Sequence, residues 1–173
     1  GAKRVGEIMQ GLDLNSFTDS GRFTVLGKGY DINKNYGVHP GTKFEAWIKE
    51  LLVSELKTAE AADITFEGLE ALRLSARLNK TLRTPYFIGT NLSTGYYEVF
   101  SHLHTSKMKV REAVRISMSI PIFFAAKRYG EHQDLYVDGG VWNNYPITLF
   151  DHGEEKDLGT VGFRVDSADE IAI

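Results

Sequence analysis

The sequence predicts an α/β domain with a largely parallel β-sheet. Segments in which apolar residues recur at helical spacing alternate along the chain with short apolar runs of strand length. The run at residues 85–90 is almost continuously apolar, which is typical of a strand buried on both faces of a parallel sheet. Residues 160–166 form a similar run near the end of the chain. Helices would therefore cover a sheet whose central strands are buried.

Three helices are predicted after residue 40 from this spacing. The first begins at Thr42, where Thr42 and Glu45 have the pattern of a capping box that satisfies backbone donors. The second runs from Phe66 to about Leu78. The third spans roughly residues 110–119, because a proline at position 121 disfavours helical backbone before it. The residues predicted to share one face of the third helix are Val110, Ala113, Val114, Ser117 and Met118.

The remaining chain is predicted to form strands, turns and loops. Turn residues at 91–95 and 130–134 separate apolar runs, and Pro146 suits the first turn of a short helix. A short helix fits residues 5–12, and the Gly, Asn and Asp content of residues 15–40 indicates mainly loop. The predicted strands are residues 85–90, 96–100, 122–129, 135–137 and 160–166.

Composition limits the classes of function. The chain has 173 residues with 42% hydrophobic content, enough for one folded domain, and a net charge of −3 without a basic stripe for nucleic acid. No apolar run approaches the roughly 20 residues that a transmembrane helix needs. The chain lacks cysteine, which excludes disulfides and thiolate chemistry and is compatible with either redox environment. We expect a soluble protein and slightly favour the cytoplasm over secretion.

Neither a metal site nor a cofactor is expected. His102 and His104 form an H-x-H pair that could share one face of a strand, but no third ligand is near them in the sequence. No glycine-rich phosphate-binding motif occurs.

The serines offer no clear nucleophile. A nucleophile elbow requires G-x-S-x-G on a sharp strand-to-helix turn. The nearest approach surrounds Ser93, but bulky Leu92 precedes it and the context is strand–turn–strand. Ser117 and Ser119 fit small-residue packing at a helix end better than catalysis.

Asp138 is the candidate catalytic residue. It ends the apolar run Leu135–Val137 and is followed directly by Gly139 and Gly140. Asp-Gly is a common turn pair, so a simple turn is one interpretation. In the other, a carboxylate at the end of a sheet strand faces a cleft, and the glycines allow close approach to it.

Several motifs in a specific order resemble the patatin-like phospholipase family. The stretch "REAVRISMSIPIFFAAKRYGEHQDLYVDGGVWNNYP" (111–146) is similar to the family's C-terminal catalytic segment, which ends in Asp-Gly-Gly or Asp-Gly-Ala followed by N-P. "IGTNLSTGYYEVFS" (88–101) and "TVGFRVDSADEI" (160–171) resemble the neighbouring strands. "LDLNSFTD" (12–19) resembles, more loosely, the segment that follows the family's nucleophile helix.

This resemblance implies a three-layer α/β/α fold and lipid or ester hydrolysis by a Ser–Asp dyad. Asp138 would be the general base, and Gly139 and Gly140 would let the nucleophile elbow pack beside it. The family's oxyanion-hole loop and G-x-S-x-G are not found in the sequence, so we expect a single partial domain over residues 1–173 that lacks its N-terminal block. Such a chain would be inactive alone. We expect the 86–90 strand to have an unpaired edge, and the chain to self-associate or bind a complementing N-terminal segment.

Two alternatives stay open. The chain could be a non-catalytic lipid-binding or interaction module of the same family. It could also be half of a conventional α/β-hydrolase, with Asp138 and His152 as triad partners in the usual order. The thirteen residues between these two positions leave little room for the strand, helix and loop that usually separate them.

Overall fold

A computed structural model describes residues 7, 8, 10–18, 36–75, 82–150 and 160–162. Residues 7, 8 and 10 are helical and lie within the short helix predicted over residues 5–12. Three further α-helices lie in this part of the chain, and two of them end earlier than the sequence predicts. They are α1 (Thr42–Leu56), α2 (Phe66–Leu74) and α3 (Val110–Ser117). Short 3-10 helices occur at Leu14–Phe17, Ala59–Asp63, Gly139–Val141 and Ile147–Phe150.

The described strands form two sheets. The larger has four strands in the order β3-β2-β6-β5, and the smaller pairs β1 with β4. The strands are β1 (Gly37–His39), β2 (Phe87–Asn91), β3 (Tyr96–Phe100), β4 (Ile122–Phe124), β5 (Lys127–Tyr129) and β6 (Asp134–Asp138). Sequence patterns predicted all of these except β1, which lies in the region read as loop.

The α/β class is confirmed, but strand direction differs from the expectation of a mostly parallel sheet. Within the described residues, only the β1–β4 pair is parallel, and each pair in the four-stranded sheet is antiparallel. The reason is local, because β2 and β3, like β5 and β6, are joined by tight turns that can only connect antiparallel neighbours.

The expectation that residues 86–90 have an unpaired edge is wrong. β2 lies inside the larger sheet and pairs with β3 on one side and β6 on the other. Its last four residues are buried, as predicted for a strand covered on both faces. An antiparallel hairpin and the returning β6 therefore supply both neighbours of this strand.

The predicted strand over residues 122–129 is divided between the two sheets. β4 ends at Phe124, and β5 begins at Lys127. The Ala125 N–H between them donates to the carbonyl of His39 over 2.7 Å, which holds the chain against the end of β1. The far end of the 160–166 run is outside the described residues, and its first three residues have no regular secondary structure.

The start of α1 does not form the predicted capping box. Gly41 is the N-cap, with a left-handed φ of 74°, and Thr42 is the first helical residue. The Glu45 carboxylate instead forms ion pairs with Arg111 of α3 and, over 3.3 Å, with Lys127 of β5. Glu45 thus joins three elements and does not cap its own helix.

The core lies between the helices and the larger sheet. Its buried residues are Leu56, Ala61, Phe66, Leu69, Phe100, Met108, Val110, Ala113, Ile116 and Tyr136. The buried face of α3 is rotated from the predicted one, because Arg115 and Ile116 are buried while Ser117 is only half-buried. Among the described residues, no helix has the length and apolar character needed to cross a membrane.

Candidate functional site

Asp138 occupies the end of β6, as the sequence predicts. Its backbone is held on both sides, since its N–H donates to the carbonyl of Ser119 over 3.0 Å and its own carbonyl accepts from the Thr90 hydroxyl over 2.9 Å. Its side-chain Oδ1 accepts the N–H of Gly140 at 2.6 Å. The carboxylate is therefore fixed to the point where the strand turns into the Gly139–Val141 3-10 helix.

Burial changes the acidity of this carboxylate. Partial burial raises the pKa of the Asp138 carboxyl above its ordinary value, and the hydrogen bond from the Gly140 N–H acts in the opposite direction. Burial has the larger effect because it removes water from the charged form. A raised pKa gives this aspartate more affinity for a proton than an exposed one would have.

Asp138→Asn is expected to raise the melting temperature above that of the wild type at neutral pH. In acid, the two melting temperatures should become equal. Because the folded pKa lies above the unfolded value of about 3.9, ionisation of Asp138 disfavours the folded state at every pH above the folded pKa. Below the unfolded pKa, the carboxyl is protonated in both states and the penalty disappears. Thermal unfolding of both proteins from about pH 7 down to about pH 3.5 measures the difference between their melting temperatures. A difference that does not vary with pH would show that the substitution acts through packing.

Gly139 is required by close approach to β2. A Cβ at this position would lie 2.5 Å from the carbonyl oxygen of Ile88 and 2.7 Å from its Cβ. A Cβ at Gly140 would lie 2.9 Å from Asn144 Oδ1 and 3.0 Å from Asp138 Oδ1. Neither glycine is in the left-handed region, so crowding explains them and a positive φ does not.

The two asparagines after the glycines brace this turn. The N–H of Asn143 donates to the carbonyl of Gly139 over 2.9 Å, and the Asn144 side chain lies beside Gly140. Pro146 directly precedes the short Ile147–Phe150 3-10 helix. These contacts hold the backbone that carries Asp138.

The segment that binds the Asp138 backbone also contributes to an apolar cavity. Its volume is about 460 Å³. Two of its lining residues, Met118 and Ile120, flank Ser119, whose carbonyl binds the Asp138 N–H. The lining residues are Phe17, Phe44, Met118, Ile120, Phe123 and Phe124. The contact between Phe44 of α1 and residues 118–124 could not be predicted from the sequence, because it joins segments far apart in the chain.

Ser93 and Ser101 both take part in turns. Ser93 lies in the β2–β3 turn, where its N–H donates to Asn91 Oδ1 and its hydroxyl accepts the N–H of Leu135. Ser101 Oγ lies 2.7 Å from His104 Nδ1, a Ser–His pair that the sequence did not suggest. Ser101 is fully buried and its hydroxyl also accepts the N–H of Leu103, so this pair stabilises a turn.

The H-x-H pair is not completed into a metal site within the described part of the chain. His102 and His104 lie in the turn after β3, and no group of three or more potential His, Cys, Asp or Glu ligands occurs among the described residues. His152, the alternative triad partner, lies outside those residues.

Comparison with known families decides the relationship. The family model "Patatin-like phospholipase" matches residues 3–151. The chain belongs to the patatin-like phospholipase family. The match covers α1 to α3, every described strand and the Asp138 turn.

Viral proteins are among the relatives of this patatin-like chain. It is 27% identical over 155 residues to protein R571 of Acanthamoeba polyphaga mimivirus, covering 90% of this chain and 45% of that protein. It is 28% identical over 79 residues to the "Probable lipid hydrolase 463L" of Invertebrate iridescent virus 6, covering 46% of this chain and 27% of that protein. The chain thus spans less than half the length of each of these relatives.

A solved structure supports the patatin-like α/β fold independently. VipD from Legionella pneumophila superimposes with a TM-score of 0.53 at 16% identity, over 82% of this chain and 37% of VipD. At this identity the likeness concerns the fold alone. Of the patatin-like features predicted from sequence, the family and the fold are confirmed, while the roles of Asp138, Gly139 and Gly140 stay predictions.

Proposed function

We propose that this chain supplies the general-base aspartate, Asp138, of a patatin-like lipid acyl hydrolase that uses a Ser–Asp dyad. The observation that carries the proposal is the state of Asp138, a half-buried carboxylate with a raised pKa whose backbone is held at the end of β6. General-base catalysis needs a fixed group with enhanced proton affinity. An aspartate that served only as a turn former would gain nothing from loss of solvent.

The carboxylate geometry indicates how the proton would move. Oδ1 is engaged by the Gly140 N–H, so Oδ2 is the oxygen that would take the proton of a serine hydroxyl as that oxygen attacks the ester carbonyl. The protonated Asp138 would return this proton to the leaving alcohol oxygen as the acyl-enzyme forms. Water would then attack the acyl-enzyme with the same aspartate taking its proton, and that proton would pass to the released serine oxygen. No histidine is needed between the two groups if the serine reaches hydrogen-bond distance.

Residues 1–173 do not contain the nucleophile in this proposal. G-x-S-x-G occurs nowhere in the sequence, and Ser93 and Ser101 are engaged in turns. The serine and the oxyanion-hole donors would come from a segment or chain other than these residues. Exposed apolar side chains close to Ser119 suit such a contact, since Ile120, Ile122 and Phe123 are 55%, 68% and 43% exposed.

The apolar cavity supports a lipid or other carboxylic-ester substrate. Its lining is six apolar side chains, four of them phenylalanines, and a volume of about 460 Å³ falls within the usual range of ligand pockets. The same cavity also supports the second candidate function, a non-catalytic lipid-binding module, which is favoured by the lack of G-x-S-x-G in these residues.

The purified 173-residue chain is expected to give no covalent adduct with a fluorophosphonate probe. It is also expected to self-associate in solution, because Ile120, Ile122 and Phe123 are exposed. Acyl transfer requires a nucleophile and oxyanion donors, and neither is identified in these residues. Intact mass spectrometry measures the adduct, and light scattering measures the mass in solution. A stoichiometric adduct on any serine would contradict the assignment of the nucleophile to another segment. A stable monomer would contradict the expected self-association.

A further inference from the structure

Arg115 is a buried arginine whose guanidinium joins three separate segments near the candidate site. Its side chain reaches out from α3, and the residue is only 2% exposed. Nη1 donates to Ser119 Oγ at 2.5 Å, and Nη2 donates to the carbonyls of Pro40 at 2.6 Å and Ala125 at 2.9 Å. A buried charge is costly unless several hydrogen bonds satisfy it, so this set of contacts requires a specific arrangement of all three segments.

Ser119 transmits this arrangement to Asp138. Its hydroxyl accepts from the guanidinium of Arg115 and donates to the Arg115 carbonyl over 2.7 Å. Its own carbonyl accepts the N–H of Asp138 over 3.0 Å. One residue therefore separates the guanidinium from the backbone that carries the candidate base.

Arg115 also holds both ends of the segment from Ser119 to Ala125. The Phe124 ring near its far end lies 5.6 Å from Arg115 Cζ, within reach of a cation–π contact. Inside the segment, Ile122 has a φ of 72°, a left-handed conformation that is unfavourable for a β-branched residue. Such strain persists only when the surrounding structure holds it, and the guanidinium supplies bonds at each end.

Gly41 provides the space that the guanidinium occupies. A Cβ on Gly41 would lie 2.5 Å from Arg115 Nε and 2.6 Å from Cζ. Gly41 also has a φ of 74° as the N-cap of α1. Substitution here would displace the guanidinium without changing Arg115 itself.

We propose that Arg115 is a positioning residue for Asp138, acting through Ser119 and the Ser119–Ala125 segment; this role rests on the proposed function of Asp138 as general base. Arginine suits the role because its planar fork of donors can bind several acceptors in fixed directions. Lysine carries the charge but cannot reproduce the fork. The guanidinium would keep the backbone of Asp138 in one position and its carboxylate in one orientation.

Arg115→Met and Arg115→Lys in the 173-residue chain test this role by NMR. We expect hydrogen exchange of the Asp138 amide to speed up about tenfold in Arg115→Met, as for the loss of one net hydrogen bond, and by less in Arg115→Lys. The reference amides are those of Thr90 and Val137, which pair with each other between β2 and β6. We also expect the carboxyl pKa of Asp138, followed by its ¹³C resonance, to fall toward the ordinary value of about 3.9 as the site becomes more hydrated.

Gly41→Ala supplies an independent variant, and Gly95→Ala is its matched control. Gly95 has a φ of 79°, so alanine there carries a similar backbone penalty, but its Cβ would meet nothing within 4 Å. Gly41→Ala should reproduce the Asp138 changes of Arg115→Met, whereas Gly95→Ala should lower stability alone.

The outcomes distinguish a positioning role for Arg115 from a purely structural one. The proposal would be overturned if hydrogen exchange of the Asp138 amide sped up no more than that of the reference amides and the carboxyl pKa of Asp138 did not change. Arg115 would then be a structural residue only. If Arg115→Met yields no folded protein, Arg115→Lys and Gly41→Ala decide by the same comparison. Neither readout depends on hydrolysis, so failure of the general-base proposal would be recognised separately, from turnover measurements.

Discussion

Asp138→Asn should lower ester turnover by about 10²–10⁴-fold in a protein that joins these residues to a G-x-S-x-G segment. An asparagine side chain keeps the size of aspartate, and its oxygen can still accept the Gly140 N–H, so the fold should persist. The amide cannot accept the serine proton at neutral pH. The measurement is kcat on a p-nitrophenyl ester.

Two further variants make this result specific. Asp134→Asn changes the other aspartate of β6, at the opposite end of the strand, and should leave turnover near the wild-type value. His152→Ala should also leave turnover largely intact, because the dyad needs no histidine. Near wild-type turnover in a folded Asp138→Asn protein would exclude the base role. A collapse in His152→Ala would instead favour the triad.

Gly139→Ala should destabilise the chain by about 1–3 kcal/mol through overpacking. The new Cβ would lie 2.5 Å from a backbone oxygen of β2, an atom that cannot move without disturbing the centre of the larger sheet. For a chain of this size the change corresponds to a fall in Tm of roughly 2–12 °C. Because Asp138 is the preceding residue, hydrolysis in the G-x-S-x-G-bearing protein should fall as well. Thermal unfolding followed by circular dichroism gives the first value.

Gly130→Ala is the control for this substitution. Gly130 has a φ of 82° and open space around its would-be Cβ, so alanine there introduces backbone strain without a clash. The loss of stability in Gly130→Ala should come mainly from the unfavourable φ, and turnover should not change. A Gly139→Ala protein as stable as wild type would show that β2 and the turn can move apart, and would remove the packing reason for a glycine at position 139.

Sequence patterns predicted the helices and turns that depend on residues close together in the chain. Apolar spacing was enough for α1 and α2, and turn residues between two apolar runs were enough for the β2–β3 hairpin. The expectation of a parallel sheet came from apolar content, which reports burial and not the direction of the neighbouring strand. The short turns predicted between β2 and β3 and between β5 and β6 already require antiparallel neighbours, whereas the β2–β6 pairing depends on the tertiary structure. The capping box failed for a related reason, since the Glu45 carboxylate is used by Arg111, a residue far away in the sequence.

In the candidate site, too, some features follow from the sequence and others only from the tertiary structure. The sequence alone determined that an aspartate ends a strand and is followed by two glycines, and the order of its motifs identified the family that the comparison confirmed. Tertiary structure alone decided why Gly139 must be glycine, which side chains form the apolar cavity and how Arg115 reaches Asp138 through Ser119. The physical reason is that strand ends and turns follow from neighbouring residues, whereas solvent exclusion, close backbone approach and a buried guanidinium depend on segments that only the folded chain brings together.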